Sequence, residues 1–272
     1  MTDRLRLTIL GCGSSPGVPR ITGDWGACDP ANPKNRRMRA SALVERISAA
    51  GGRATVVIDT GPDFRAQMLM AGVERIDAVV YTHPHADHIH GIDDLRSYVM
   101  EQRDLIDIHA DDFTMKRLYE AFGYCFETPP GSSYPPILRP HRIDHETPVT
   151  IEGEGGALTL EPLVQTHGDI VSLGFRIGTL AYCSDVSDFP AATAERLRNL
   201  DVLVIDALQR RTHPSHLSLD QALEWIERLA PKKAVLTHMH VPLDYAVTAD
   251  ETPDHVTPAY DGMVIELPIP SA

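Results

Sequence analysis

The chain has 272 residues, of which 43% are hydrophobic and 23% are charged, an ordinary composition for a globular protein. Its formal net charge of −13 disfavours a broad surface for long nucleic acids, because binding a phosphate backbone depends on many Lys and Arg contacts. No apolar run approaches the roughly 20 residues of a membrane helix. We therefore expect a soluble protein with a single domain over residues 1–272.

The four cysteines are spread along the chain. They show no C-x-x-C spacing, and no apolar leader precedes them. This usage is typical of a reducing compartment, where thiols stay free. We expect a cytoplasmic protein without disulfides.

The amino-terminal part predicts three strands and a helix. Residues 5–10 form a first strand, and the Gly- and Pro-rich residues 11–19 break it. Two prolines in that loop exclude the helix that a dinucleotide fingerprint requires. Residues 41–47 and 54–60 read as a β-hairpin, followed by a helix over 62–71.

A histidine-rich motif follows the next predicted strand, residues 76–81. It reads Thr-His-Pro-His-Ala-Asp-His-Ile-His-Gly over residues 82–91. On an extended backbone, His83 and His85 point the same way and can share one ion. The adjacent Asp87 and His88 must diverge, which suits a second ion. Such a pattern should arise by chance in roughly a few chains per thousand, so we predict a metal site at this strand end.

The motif H-x-H-x-D-H after a strand ending in Thr is similar to the signature of the metallo-β-lactamase superfamily. The resemblance implies an α/β fold, a four-layer αββα sandwich that usually holds two metal ions. Asp59, within Ile-Asp-Thr-Gly, resembles the first motif of that superfamily, where the carboxylate supports the ligands without binding the metal.

A second resemblance lies in the loop before residue 40. Gly-Val-Pro, Trp25, Gly26, Cys28 and the basic run 34–39 resemble the phosphoribosyl 1,2-cyclic phosphate phosphodiesterases, a branch related to ribonuclease Z. In that branch, several cysteines of this loop hold an extra structural zinc. Only Cys28 remains here, so no such site is predicted.

The central part predicts a helix over 88–100, a short strand over 106–109 and a helix over 111–122. The last helix offers three core candidates: Phe113, Leu118 and Phe122. Regular patterning then stops over 123–148, which contains six prolines. A long loop of this kind is often a lid or an oligomer contact, so it is a candidate for selecting the substrate or for forming a homodimer.

Strand ends supply further candidate ligands in the second half. A strand over 158–164 leads to His167, and a hairpin over 172–177 and 180–183 leads to Asp185. An apolar run over 234–237 ends in Thr followed by His238, as in the first motif. His240, two residues on, is left as a supporting or surface residue.

The resemblance assigns these residues to two ions. It implies three ligands for the first: His83, His85 and His167. It implies three for the second, with a carboxylate bridging both ions: Asp87, His88 and His238, bridged by Asp185.

His216 lies in a loop between a buried strand, 201–206, and a helix that begins with a capping box at Ser218. His-Leu-Ser here resembles the mobile or gating histidine of the phosphodiesterase branch and of the tRNA 3′-processing endonucleases. We therefore predict His216 and Asp87 as catalytic, with His216 as stabiliser or proton donor and Asp87 as proton acceptor. A closing strand is expected over 260–267.

These predictions describe a dinuclear hydrolase. Two divalent ions, Zn²⁺ or Mn²⁺, about 3.5–4 Å apart can hold a bridging hydroxide that attacks phosphorus. The expected substrate is a small cyclic phosphate or a nucleotide-like phosphodiester. The alternatives are a thioester or lactone hydrolase, a tRNA 3′-processing endonuclease, and a metal-bound ligand sensor without turnover. The sequence leaves the physiological substrate, the native metal and the oligomeric state open.

Overall fold

The computed structural model describes residues 2–269, which form fourteen strands and seven α-helices. The strands are β1 (Arg4–Gly11), β2 (Ser41–Ile47), β3 (Arg53–Ile58), β4 (Ala78–Val80), β5 (Ile106–Ala110), β6 (Leu138–Arg142), β7 (Val149–Ile151), β8 (Leu158–His167), β9 (Ile170–Ile177), β10 (Leu180–Cys183), β11 (Val202–Asp206), β12 (Lys233–Thr237), β13 (Val256–Pro258) and β14 (Val264–Pro268). The helices are α1 (Phe64–Ala71), α2 (Ala86–Ile89), α3 (Leu95–Gln102), α4 (Asp112–Phe122), α5 (Ala191–Arg196), α6 (Leu219–Leu229) and α7 (Tyr245–Glu251).

The chain divides into two compact units. The first comprises the residues up to 10, residues 41–159 and the residues from 264 on. The second comprises residues 11–40 and 160–263. The prediction of a single domain over 1–272 stays a prediction.

The sheet of the first unit has the order β14-β1-β2-β3-β4-β5-β6. The predicted hairpin is confirmed, because β2 and β3 pair antiparallel. Strands β3 to β6 run parallel, so their carboxyl ends lie along one edge. Helices α1, α3 and α4 bury apolar side chains in the same core as these strands. This edge is where the histidine motif begins.

The predicted helix over 88–100 is wrong as one continuous element. Helix α2 ends at Ile89, a 3₁₀ turn covers Ile92–Asp94, and α3 follows. Gly91 explains the break: its N–H donates to the Thr60 carbonyl at 2.8 Å, and a Cβ there would overlap the Gly61 carbonyl. The backbone at Gly91 lies too close to the backbone at Thr60 and Gly61 for a regular helix to continue through this position.

The predictions for 111–148 are confirmed in part. Helix α4 forms and Leu118 is fully buried, but Phe113 is 56% exposed and is not a core residue. The irregular segment 123–148 contains strand β6, which was not predicted. Its sequence, Leu-Arg-Pro-His-Arg, lacks an apolar pattern because β6 is the edge strand beside β5, a position that tolerates proline.

Within the second unit, strands follow the order β13-β12-β11-β10-β9-β8. Strands β8 to β10 are antiparallel, whereas β10 to β13 are parallel. The capping box of α6 is confirmed, since Ser218 and Gln221 exchange both hydrogen bonds. Four apolar residues of α6 are buried: Leu219, Ala222, Ile226 and Leu229.

All four cysteines are buried free thiols, as the sequence predicts. Among the helices of residues 2–269, we find none that is both long and apolar enough to span a membrane.

Candidate active site

The histidine motif lies between β4 and the end of α2. His83 and His88 are fully buried, Asp87 is half-buried and His85 is exposed. His83 Nε2 and His85 Nδ1 lie 2.9 Å apart. The alternate residues thus bring two nitrogens together in the way their spacing predicts, while His88 Nε2 lies 3.4 Å from Asp87 Oδ2.

Asp59 is the buried carboxylate that orders this loop. It accepts hydrogen bonds from the Thr82 N–H at 2.8 Å, the Thr82 hydroxyl at 2.7 Å and His88 Nδ1 at 2.7 Å. Burial raises the pKa of Asp59, and the contacts with His88 and Thr82 oppose that rise. Its left-handed backbone, with φ of 64°, is a conformation that few residues other than Gly adopt and that is common at functional sites.

The Asp59 network sets the tautomers of two histidines. In the neutral ring, His88 donates from Nδ1 to the carboxylate, and Nε2 then carries the lone pair. The Thr82 hydroxyl donates to Asp59 and therefore accepts from His83 Nδ1, at 2.9 Å. The lone pair of His83 is then also on Nε2, the atom that metal-binding histidines commonly use.

In the second unit, His167, Asp185 and His238 lie at the ends of β8, β10 and β12. Asp185 Oδ1 is 3.2 Å from His238 Nε2 and 4.0 Å from His167 Nε2. His167 Nδ1 donates to the Ser215 carbonyl at 2.7 Å, which places the lone pair of His167 on Nε2. Asp185 Oδ1 therefore lies near an imidazole nitrogen of each histidine, and donors of these types bind divalent cations.

The backbone at this convergence is unusual. Asp185 and His238 have φ of 53° and 57°, in the left-handed region. Such conformations cost roughly 1–3 kcal/mol each and persist where the surrounding structure requires them. Ser172 contributes here, because its hydroxyl donates to the Asp185 carbonyl at 2.7 Å. Both side chains are fixed immediately after a buried strand.

His216 is held by Asp206, a residue that the sequence analysis did not select. His216 Nδ1 donates to Asp206 Oδ2 at 2.7 Å, and the Val186 N–H donates to the same oxygen at 3.1 Å. Burial raises the pKa of Asp206 to about 6, although the neighbouring His216 lowers it. The only sequence signal for Asp206 is its position at the end of β11, which matches the strand-end positions of the other candidates.

The His216 ring is close to the candidate ligands of its own unit. It stacks on His238, with centroids 4.6 Å apart, and meets the edge of His167 at 4.7 Å. His167, Asp185 and His216 each offer a donor atom within 4.8 Å of the other two. Because Nδ1 is bonded to Asp206, any acid–base chemistry of His216 would use Nε2.

His240 is buried and forms hydrogen bonds on both sides of its ring, so it is not a surface residue. Arg20 donates to Nε2 at 2.6 Å, and Nδ1 therefore donates to the Ser14 hydroxyl at 2.8 Å. Buried Arg37 donates to the Leu243 carbonyl at 2.7 Å. These contacts fix the loop that follows His238.

Cys28 is buried against apolar side chains and backbone carbonyls. Its thiol is within hydrogen-bond distance of the Val241 and Leu243 carbonyls, at 3.4 and 3.5 Å. It packs with Val18 and Trp25 in a small apolar cluster.

The protein has a mixed α/β fold, and its strand ends present His and Asp side chains. A buried carboxylate and a carbonyl fix the tautomers of the imidazoles. Together these features are those of a metal-dependent hydrolase. Nitrogen and carboxylate donors of this kind bind divalent cations. The chain belongs to the β-lactamase superfamily, because residues 54–239 match the family described as "Beta-lactamase superfamily domain". The predicted four-layer αββα fold class is confirmed by this membership.

The chain is similar to several known proteins. The crystal structure of a diphosphatase from the PhnP family is 35% identical, with 98% of each chain covered and a TM-score of 0.87. The octanoyltransferase of Porphyromonas gingivalis is 34% identical over 264 residues, which are 95% of this chain and 51% of that protein. The ribonuclease Z of a Bradyrhizobium species is 29% identical over 147 residues, 53% of this chain and 45% of that protein. The chain spans about half the length of the octanoyltransferase and of the ribonuclease Z. The predicted relation to the phosphodiesterase and ribonuclease Z branch is confirmed.

Proposed function

We propose that the protein is a dinuclear phosphodiesterase that hydrolyses a small cyclic phosphate or a nucleotide-like phosphodiester. The observation that carries the proposal is the Asp206–His216 pair, which holds an acid–base nitrogen beside His238 and His167. The similarity to a PhnP-family diphosphatase along almost the whole chain supports phosphate chemistry.

Seven side chains form the proposed ligand set. His83, His85 and His167 would hold the first ion, Asp87, His88 and His238 would hold the second, and Asp185 would contribute its carboxylate to both. The fixed Nε2 lone pairs of His83, His88 and His167 support this assignment. Zn²⁺ and Mn²⁺ both suit the donors. When bound, the ions would activate water and neutralise charge on the phosphoryl oxygens.

The protein's own residues would then move the protons. A water oxygen forms a bond to phosphorus and gives up its proton to Asp87. The bond from phosphorus to the leaving oxygen breaks, and that alkoxide takes the proton of His216 Nε2. Asp206 stabilises the cationic form of His216 that can donate this proton.

Acyl chemistry is the second candidate. The similarity to an octanoyltransferase favours a thioester or lactone substrate, although this chain matches only 51% of that protein. The similarity to ribonuclease Z keeps a tRNA endonuclease as a further alternative, which the net charge of −13 disfavours. A sensor without turnover, a homodimer and a cytoplasmic location remain predictions.

A substrate panel tests the proposal. The protein, loaded with Zn²⁺ or Mn²⁺, is assayed on bis(p-nitrophenyl) phosphate, a nucleoside 2′,3′-cyclic phosphate, an acyl thioester, a lactone and a precursor tRNA. We expect turnover of the first two, and we expect His216→Ala to reduce it roughly 100-fold with metal content unchanged.

His255→Ala is the control, because His255 is exposed and has no part in the proposed mechanism. The proposal fails if thioester, lactone or tRNA is the better substrate, or if His216→Ala retains full activity on phosphodiesters.

A further inference from the structure

A small cavity lies in the first unit, beside the irregular segment 123–148. Its volume is about 290 Å³, at the lower end of small-molecule sites. Five residues line it: Arg96, Tyr124, Pro129, Ser132 and Tyr134. The lining thus combines one guanidinium with two phenol rings, groups that recognise flat ligands.

The walls of this cavity come from ordered elements. Arg96 is in the first turn of α3, and Tyr124 is in the 3₁₀ turn Gly123–Cys125. The loop that carries Tyr134 is closed at its base, where the Ile137 N–H donates to the Cys125 carbonyl at 2.8 Å. Near its tip, the Tyr134 N–H donates to the Ser132 hydroxyl at 3.1 Å. The loop therefore presents its tyrosine in a defined position.

Both tyrosine rings are open to solvent. Tyr134 is 72% exposed and Tyr124 is 43% exposed. An exposed aromatic ring gains free energy when a flat ligand covers it, and stacking of a nucleic-acid base on such a ring contributes about 1–3 kcal/mol. Two such rings around one cavity provide a stacking surface.

The charge in the cavity disfavours an anion. Arg96 Nη2 donates to Asp93 Oδ1 at 2.7 Å, so the guanidinium already has a carboxylate partner. This hydrogen bond raises the pKa of Arg96, which keeps it cationic and flat. Because Asp93 offsets the positive charge, a neutral ring with hydrogen-bond acceptors fits the cavity better than a phosphate group does.

The helix that leads into the cavity wall also contacts the histidine motif. His90, near the end of the motif, meets the edge of Phe122 with centroids 5.6 Å apart. Phe122 ends α4, and Tyr124 follows it closely in the chain. The wall of the cavity and the motif are therefore parts of one packed structure.

We propose that Arg96, Tyr124 and Tyr134 bind a heteroaromatic base, so that the substrate class is a nucleotide-like phosphodiester. This assignment of the base to the substrate rests on the proposed phosphodiesterase function. The binding of a base to the cavity does not depend on that function.

Equilibrium binding of adenosine, compared with ribose, tests the pocket without any phosphate. Calorimetry on the metal-loaded protein should show adenosine binding at least about 10-fold tighter than ribose. Tyr134→Ala should weaken adenosine binding roughly 10-fold, whereas Tyr134→Phe, which keeps the ring, should stay within about 2-fold. Met100→Ala is the control, because Met100 is 73% exposed on the same helix as Arg96 and does not line the cavity.

Kinetics connect the pocket to the substrate. Tyr134→Ala should raise KM for adenosine 2′,3′-cyclic phosphate roughly 10-fold and leave kcat unchanged. Equal binding of adenosine and ribose, or an unaltered KM in Tyr134→Ala, would overturn the inference even if phosphodiesters are hydrolysed. Adenosine binding that Tyr134→Ala weakens, together with no phosphodiester turnover, would retain the pocket and reject the proposed function.

Discussion

In the proposed mechanism, Asp206 acts through the tautomer and charge of the His216 imidazole. Asp206→Asn keeps the shape of the side chain but removes the negative charge that stabilises protonated His216. We expect kcat on phosphodiesters to fall roughly 10- to 100-fold with metal content unchanged. Since the pKa of Asp206 is about 6, wild-type activity should decline as pH falls through about 6, where the carboxylate takes up a proton. The variant should lack this acid limb.

The matched control for this substitution is Asp201→Asn. Asp201 directly precedes the same strand, and its side chain bonds Thr179 and Lys232 away from His216. Its replacement should leave the pH profile of kcat unchanged. A wild-type acid limb that survives in Asp206→Asn would assign the limb to another group and remove Asp206 from the mechanism.

At the scale of elements, Gly91 separates two helices where the sequence indicates one. A Cβ at Gly91 would lie 2.7 Å from the Phe64 Cβ and would overlap the Gly61 carbonyl. Gly91→Ala must therefore displace α1 or the loop after β3, which should cost about 1–3 kcal/mol of the free energy of unfolding. Urea denaturation followed by circular dichroism measures the change.

Gly123→Ala is the control for Gly91→Ala. Gly123 has a helical φ of −51°, and a Cβ there would meet no atom within 4 Å. The free energy of unfolding of the Gly123→Ala variant should stay within about 0.5 kcal/mol of the wild-type value, or rise slightly. Equal midpoints for Gly91→Ala and the wild type would show that the helix break has another cause.

The same elements show how far the sequence predicts this molecule. The hairpin of β2 and β3 and the capping box of α6 were predictable because their signals are local. The helix break at Gly91 was not, since it depends on a backbone that lies thirty residues earlier in the chain. Strand β6 was missed for a similar reason: its pairing with β5, rather than its own apolar pattern, defines it.

The candidate site also has a part that the sequence predicts and a part that it does not. The histidine motif is contiguous, so spacing alone indicates its chemistry. The parallel pairing of β10 with β11 brings the Val186 N–H to Asp206, and the loop after β11 brings His216 to the same carboxylate. No spacing in the sequence encodes that arrangement.

For the whole molecule, the proposed ligand set predicts that stability depends on metal. His83, His88, His167, Asp185 and His238 are each no more than 3% exposed. Burying such polar groups costs free energy, and a cation that binds only the folded chain offsets part of that cost. Metal at 100 times its Kd should add about 2.7 kcal/mol. For a chain of this length, that corresponds to a rise in Tm of roughly 5–10 °C.

Differential scanning calorimetry of chelator-treated protein, before and after addition of Zn²⁺ or Mn²⁺, measures this shift. The double substitution of His83→Ala with His85→Ala removes two proposed ligands and should abolish most of the metal-dependent rise. His255→Ala replaces an exposed histidine outside the ligand set and should retain the full rise. A wild-type Tm that is the same with chelator and with saturating metal would contradict the proposed ligand set, because an ion that binds buried side chains of the folded chain stabilises that chain against unfolding.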